Sequence, residues 1–160
     1  MLTQMQRREM IAQIRQLPVT VESAVRGLND AQLDTPYGEG KWTVRQVVHH
    51  LADSHLMAFA RMKQVLVEER PKLLAYDQDE WARTFDAATP SPIGSSLAIL
   101  RGIHERLGTL LQSLPEAAWM RTGIHARRGE MTLDDLLALY SHHGESHVKQ
   151  ITDLRAARGW

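Results

Sequence analysis

Two stretches of this chain open with the same local grammar, and that repetition narrows the fold more than any other feature. Thr43 stands three residues before Gln46, and Thr132 three before Asp135. In each case the threonine can cap the first turn of a helix while the longer polar side chain reaches back to the cap. Apolar pairs bracket both boxes, Trp42 with Val47 and Met131 with Leu136, placed to staple the entering chain. After Thr43, residues Val47, Val48, Leu51, Met57, Phe59, Met62, Val65 and Leu66 supply buried faces of a helix that runs to about Glu69, before Pro71. After Thr132 a second long helix runs to about Arg158.

The rest of the chain fits around these two. Met10, Ile11, Ile14 and Leu17, then Val21, Ala24, Val25 and Leu28, predict a first helix over roughly 2–27, bent near Pro18. Residues 29–42 read as a loop. Leu97, Leu100, Ile103, Leu107, Leu110 and Leu111 place the third of four long helices at about 92–113. The segment 70–91 is too long for a simple helix–helix turn and carries a short helix from Asp77 to Phe85. A crossover of that length lets the second and third long helices run parallel. Residues 114–131 form another connection, in which IHARRGEM is a small hairpin or an irregular loop. No run alternates β-branched residues between tight turns. The expectation is an all-α, single-domain four-helix bundle over 1–160, with the long crossover between its second and third helices.

Charge excludes some functions. Lys plus Arg number 19 and Asp plus Glu number 19, so there is no basic footprint for nucleic acid or an anionic membrane. No apolar run reaches the roughly 18 residues of a membrane span. The first residues, MLTQMQRREMIAQIRQL, lack the apolar core of a secretion signal, and a cytoplasmic protein is expected. There are eight histidines and no cysteine, so a transition metal here would need nitrogen and oxygen ligands.

His143 and His147 are four apart and stack on one face of the last helix, the spacing of the zinc-binding pair in HExxH proteins. Gly144 stands where those proteins carry their general base. A third ligand would come from a second helix. The tract His49-His50-Leu51-Ala52-Asp53-Ser54-His55 offers three histidines. His49 points about 100° from His50 and His55 about 140° from it, so one straight helix cannot bring all three to one ion, and spacing alone does not choose.

The stretch LDTPYGEGKWTVRQVVHHLADSH, from Leu33 to His55, resembles the DinB/YfiT-like group of metal-dependent bundle proteins. The likeness continues around Tyr76, Asp77 and Trp81, through Gly94-Ser95-Ser96-Leu97, and into LALYSHHGESHVKQI. It implies a four-helix bundle with one zinc or nickel ion per chain, held by His50, His143 and His147, in a homodimer. The group includes proteins labelled metal-dependent hydrolases and also bacillithiol S-transferases. The chain departs from the pattern at His142, where relatives often carry an aromatic, and at Gly144 and Glu145, where close relatives are richer in histidine.

Three neutral imidazoles leave the ion its full charge and an open position, which suits water activation in a hydrolase or thiol activation in a transferase. Hydrolysis of a small-molecule substrate is the first expectation. Gln46, one turn before His50, could orient a water or simply complete its capping box. Asp53 could accept a proton or lie behind the ligands, whereas Glu145 faces away. A thiol transferase would need an external low-molecular-weight thiol, whose acidic groups Arg45, Arg127, Arg128 or Lys149 could hold; as plain side chains all four are expected in solvent. A third reading is a non-catalytic helical interaction module. Trp42, Trp81 and Trp119 are expected in the core.

Overall fold

Both threonine capping boxes form. Thr43 Oγ1 accepts from the Gln46 backbone at 3.1 Å, and Gln46 Oε1 accepts from the Thr43 backbone at 3.0 Å. Thr132 and Asp135 make the same exchange at 3.1 and 2.8 Å. Two further boxes, Thr3 with Gln6 and Asn29 with Gln32, open other helices. This is a computed structural model, and it describes residues 1–88 and 90–160. Its helices are α1 (Gln4–Val25), α2 (Asp30–Leu33), α3 (Val44–Val67), α4 (Gln78–Trp81), α5 (Gly94–Gln112) and α6 (Leu133–Arg158). A 3-10 turn at Glu116–Met120 leads into a two-stranded antiparallel sheet, β1 (Thr122–His125) and β2 (Gly129–Thr132).

The four long helices are α1, α3, α5 and α6. Each of α1 and α3 packs against both α5 and α6, so α1 sits diagonally from α3. Side-chain contacts give the directions. His49 meets Ser96 and Phe59 meets Arg106, so α3 and α5 run parallel, as the long crossover allows. Arg7 meets Asp134 and Arg155 meets the carbonyl of Ala24, so α1 and α6 are parallel too. Tyr140 meets Arg61 while His143 and His147 meet the earlier His50, which makes α3 and α6 antiparallel.

Some expectations need adjustment. The single first helix is not among them: α1 forms as expected, with Pro18 inside it. Proline has no N–H for the carbonyl four residues back, that of Ile14. His104 on α5 takes that carbonyl with its Nδ1, so a buried histidine repairs the gap the proline leaves. The loop 29–42 contains α2, and the crossover helix is only Gln78–Trp81, capped by Asp77, rather than reaching Phe85. The segment IHARRGEM is a hairpin, and an all-α description therefore omits a small sheet. Gly129 at a φ of 75° closes its turn, in a region glycine enters without strain. The crossover is pinned to this hairpin by bonds from Ile124 N to Pro71 O (2.8 Å) and Leu73 N to Ile124 O (2.9 Å). Trp119 is buried and Trp42 half-buried, but Trp81 is 39% exposed, because it belongs to the short crossover helix and not to the bundle.

The core divides into two apolar clusters. One gathers Ile14, Met62, Leu107, Leu111, Leu133 and Leu137; the other gathers Val21, Val47, Leu51, Leu100 and Ile151. The buried histidines of α3 and α5 lie among them.

Candidate metal centre

His50 on α3 and His143 and His147 on α6 converge. His50 Nε2 is 3.1 Å from His143 Nε2, which is 3.2 Å from His147 Nε2. One nitrogen from each of the three lies within 4.8 Å of the others. Bonds of about 2.0–2.1 Å at tetrahedral angles put two zinc-bound nitrogens about 3.3 Å apart. The rings are therefore spaced as an ion would need them. All three imidazoles are held neutral, mainly by burial. His50 and His143 are each lowered to about 3, with His147 adding to both shifts and His50 to that of His143. His147 is lowered too, partly offset by its bond to Gln150. Three neutral nitrogens facing each other cannot all be satisfied by sharing protons pairwise. A cation satisfies all three lone pairs, so the residues present fit a divalent metal.

The surroundings set the tautomers. His147 Nδ1 lies 2.8 Å from Gln150 Oε1, an acceptor, so the proton sits on Nδ1 and Nε2 is free to ligate. Behind His143, its Nδ1 is 3.4 Å from His55 Nε2. His55 is fully enclosed, and its ring centroid is 4.8 Å from that of His104. His104 gives its Nδ1 proton to Ile14 O. His55 Nδ1 and His104 Nε2 have no partner among the described residues. With the proton of His55 on Nδ1, its Nε2 accepts from His143 Nδ1 and leaves the His143 Nε2 lone pair free to ligate. Trp42 roofs the centre, its ring 4.5 Å from His50 and stacked at 6.2 Å on His147.

The three histidines of the α3 tract thus divide their work. His49 faces α5, with Nδ1 2.8 Å from Ser96 Oγ and Nε2 3.4 Å from the carbonyl of Ser91. His142 is exposed beside Glu145 at 3.6 Å. Gly144, between the two α6 ligands, faces α1: a Cβ there would come within 2.5 Å of Leu17. A side chain where a HExxH enzyme keeps its base would have to displace Leu17.

Of the polar candidates, Gln46 is bonded at both ends of its amide. Its oxygen completes the capping box and its Nε2 donates to the carbonyl of Ala82 at 2.8 Å, tying α3 to the crossover. The capping-box alternative is thus formed, with one N–H and one lone pair of the amide left over. Asp53 is half-buried one turn beyond His50, and its carboxyl is raised to about 6 by burial and by the charge of Asp86. Arg45 is not solvated as expected: it is 1% exposed and bonds Asp34 (2.6 Å), Asp30 (2.8 Å) and the carbonyl of Ser91 (2.7 Å). Lys149 is exposed and paired with Asp153 at 2.8 Å.

Two cavities open on the centre. One, of about 430 Å³, lies between α3, α6 and the hairpin and reaches His143. The other, of about 420 Å³, is bounded by Trp42, Asp79, Gln150, His143 and His147. A larger hollow of about 740 Å³ between α1 and α5 holds none of the histidines. Arg61, on the wall of the first cavity, was not a candidate from sequence. An arginine amid the apolar residues of α3 was the signal available for it.

The chain matches the family model described as the DinB superfamily over residues 13–151. It is 41% identical over 156 residues, 97% of this chain and 87% of the relative, to a Bacillus subtilis protein named "Putative metal-dependent hydrolase YfiT". A Geobacillus thermodenitrificans relative called "Putative metal-dependent hydrolase" is 47% identical over 154 residues, 96% of this chain and 86% of the relative. The solved structure of Bacillus subtilis YfiT, described as a probable metal-dependent hydrolase with an unusual four-helix bundle topology, superposes with a TM-score of 0.96. It does so at 38% identity, covering all of this chain and 91% of that one. The four-helix bundle protein TT2238 shares the fold at a TM-score of 0.63 and 16% identity, over 92% of this chain and 98% of that one. By the family model and by relatives matched along nearly its whole length, this chain belongs to the DinB superfamily.

Proposed function

We propose that this protein is a metal-dependent hydrolase of small molecules, with one zinc or nickel ion held by His50, His143 and His147. The observation that carries the reading is the convergence of three neutral imidazole nitrogens, 3.1 and 3.2 Å apart, at the meeting point of two cavities. The names of the relatives support it. An ion in such a site supplies Lewis acidity, which brings the pKa of water down to about 7. The protein supplies the rest. Gln150 fixes the tautomer of His147, and His55 Nε2 lies where it can accept from His143 Nδ1. Trp42 covers His50 and limits water on that side. Asp53, raised to about 6, is mostly ionised at neutral pH and basic enough to take a proton from a nucleophile. If it does, the rate falls as pH drops through about 6.

The same centre would serve thiol transfer. The chain has no cysteine, so the sulfur would have to arrive on a cosubstrate. The first test is elemental analysis of protein purified without a metal-affinity tag. Near one ion per chain is expected in the native protein and in His49→Ala, and none in His50→Ala/His143→Ala. No metal in the folded native protein, with no uptake of zinc or nickel, overturns the reading. Ester and amide panels run beside a thiol-conjugation assay then separate hydrolysis from transfer.

A further inference from the structure

The cavity on the hairpin side of the centre has an unusual charge. Its walls include Arg61, Arg127, Arg128 and His125, and no aspartate or glutamate lines it among the described residues. Arg61 is 6% exposed. It donates to the carbonyl of Leu74 through Nε and Nη2 and to the hydroxyl of Tyr140 through Nη1, at 2.5 Å for the last. Among the described residues its five N–H donors thus carry only these three bonds, and it has no ion-pair partner. Arg127 and Arg128 stand at the hairpin tip, and among the described residues neither guanidinium has an ion-pair partner. The three charges act together on His125, whose imidazole is held below its usual value by burial and then by Arg61, Arg128 and Arg127. A low-dielectric pocket that gathers like charges without counter-charges raises the local concentration of the opposite sign. The pocket is also large enough for part of a small ligand.

We propose that this cavity, bounded by Arg61, Arg127 and Arg128 and opening onto His143, binds an oxyanion group of the substrate, carboxylate or phosphate alike. Where that substrate is cleaved rests on the hydrolytic reading above; the binding itself does not. The hairpin then has a job: it carries two guanidinium forks to the mouth of a pocket whose floor is already cationic. Planar forks suit bidentate recognition of such groups. The other cavity, with Lys41 and Asp79 on its walls, has mixed charge and would take the remainder of the molecule. Of the four basic residues weighed from sequence, only the two at the hairpin tip are left uncommitted, since Arg45 and Lys149 already hold carboxylates.

Two measurements test it. Metal-free protein, with chelator present, is titrated with succinate and separately with inorganic phosphate while backbone amide NMR shifts are followed. Saturable shifts at residues 124–129 and near Tyr140 are expected, with affinity weakened at least fivefold in Arg127→Gln/Arg128→Gln. Both positions are exposed, so that variant keeps its fold. No hairpin response, or equal affinity in the variant, overturns the proposal. Metal-loaded protein is then given 4-nitrophenyl butyrate and the 4-nitrophenyl monoester of succinate. A kcat/KM ratio of ten or more in favour of the charged ester, collapsing toward one in the variant, supports the pocket, and an equal ratio in both proteins overturns it. If neither ester is cleaved, the hydrolytic reading loses ground while the titration still decides the pocket.

Discussion

Arg45 and Arg61 lie on the same helix, sixteen residues apart by number, and both are buried, yet their surroundings differ in kind. Arg45 holds two carboxylates and a carbonyl. Arg7, in the first turns of α1, is treated likewise: it clasps Asp134 at 2.7 and 2.9 Å, bonds Glu116 at 2.6 Å and lies over the ring of Trp119. Arg61 has a carbonyl and a phenol and, among the described residues, no anion. A buried cation is tolerated when paired and is costly when not. Where the chain needs only structure it supplies the counter-charge. Beside the histidines it withholds it, which leaves room for a ligand to bring one.

The largest expected effect lies on the compensated side. Asp134→Ala leaves Arg7 buried without its main partner and should cost about 3–5 kcal/mol in urea unfolding. Arg61→Met removes a charge that has no carboxylate partner, leaving two hydrogen-bonding groups unmet, and should cost less than about 2 kcal/mol. Equal losses in the two variants would break the comparison.

Next is the row of histidines. His55→Phe keeps the volume but removes the acceptor 3.4 Å from His143 Nδ1. Partners of this kind are worth about 10–100-fold in metal affinity. Competition with a chelator measures it, and unchanged affinity would reduce His55 to a space filler.

The fold was legible where local rules act alone. The boxes at Thr43 and Thr132 form as their spacing requires, and the apolar positions of α3 and α6 face the core. What periodicity could not supply was depth. His49, His50 and His55 are all buried, on different faces of α3, and only the packing of α5 and α6 decides which one joins the converging nitrogens of His143 and His147. The family resemblance pointed to His50 and the geometry brings it to the pair on α6. Spacing singles out neither His104 nor Arg61. Their roles depend on a carbonyl freed by Pro18 and on the crossover carbonyl of Leu74, contacts made 90 and 13 residues away in sequence.

The burial of neutral histidines also shows in the pH dependence of the metal-free protein. His50 and His143, lowered to about 3, bind fewer protons folded than unfolded between there and the unfolded value near 6.5. Their stability is therefore fully present above pH 6.5 and lost as pH falls toward 3, at no more than about 1.4 kcal/mol per pH unit for each. Asp53, raised to about 6, opposes them: its stabilising effect is present at low pH and lost as pH rises through about 6. Unfolding of chelated protein followed from pH 7 to 4 should show a net loss, shallower in His143→Phe. A gain in stability over that range would mean the carboxylate outweighs the imidazoles.

The smallest effect sharpens the comparison from the other side. Lys149 is only two residues from the ligand His147 and carries the same charge as the arginines of the cavity. Proximity in sequence alone would make it a candidate for substrate binding. But it is exposed on the outer face of α6 and already paired with Asp153 one turn on, at 2.8 Å. Such helix-surface pairs contribute about 0.3–0.5 kcal/mol. Lys149→Ala should therefore shift the unfolding midpoint barely, leave metal content at that of the native protein, and leave succinate affinity unchanged beside Arg127→Gln/Arg128→Gln. A loss of succinate affinity in Lys149→Ala equal to that in the arginine variant would mean that the general field of the protein draws the anion. In that case the uncompensated charges of Arg61, Arg127 and Arg128 would have no special claim on it.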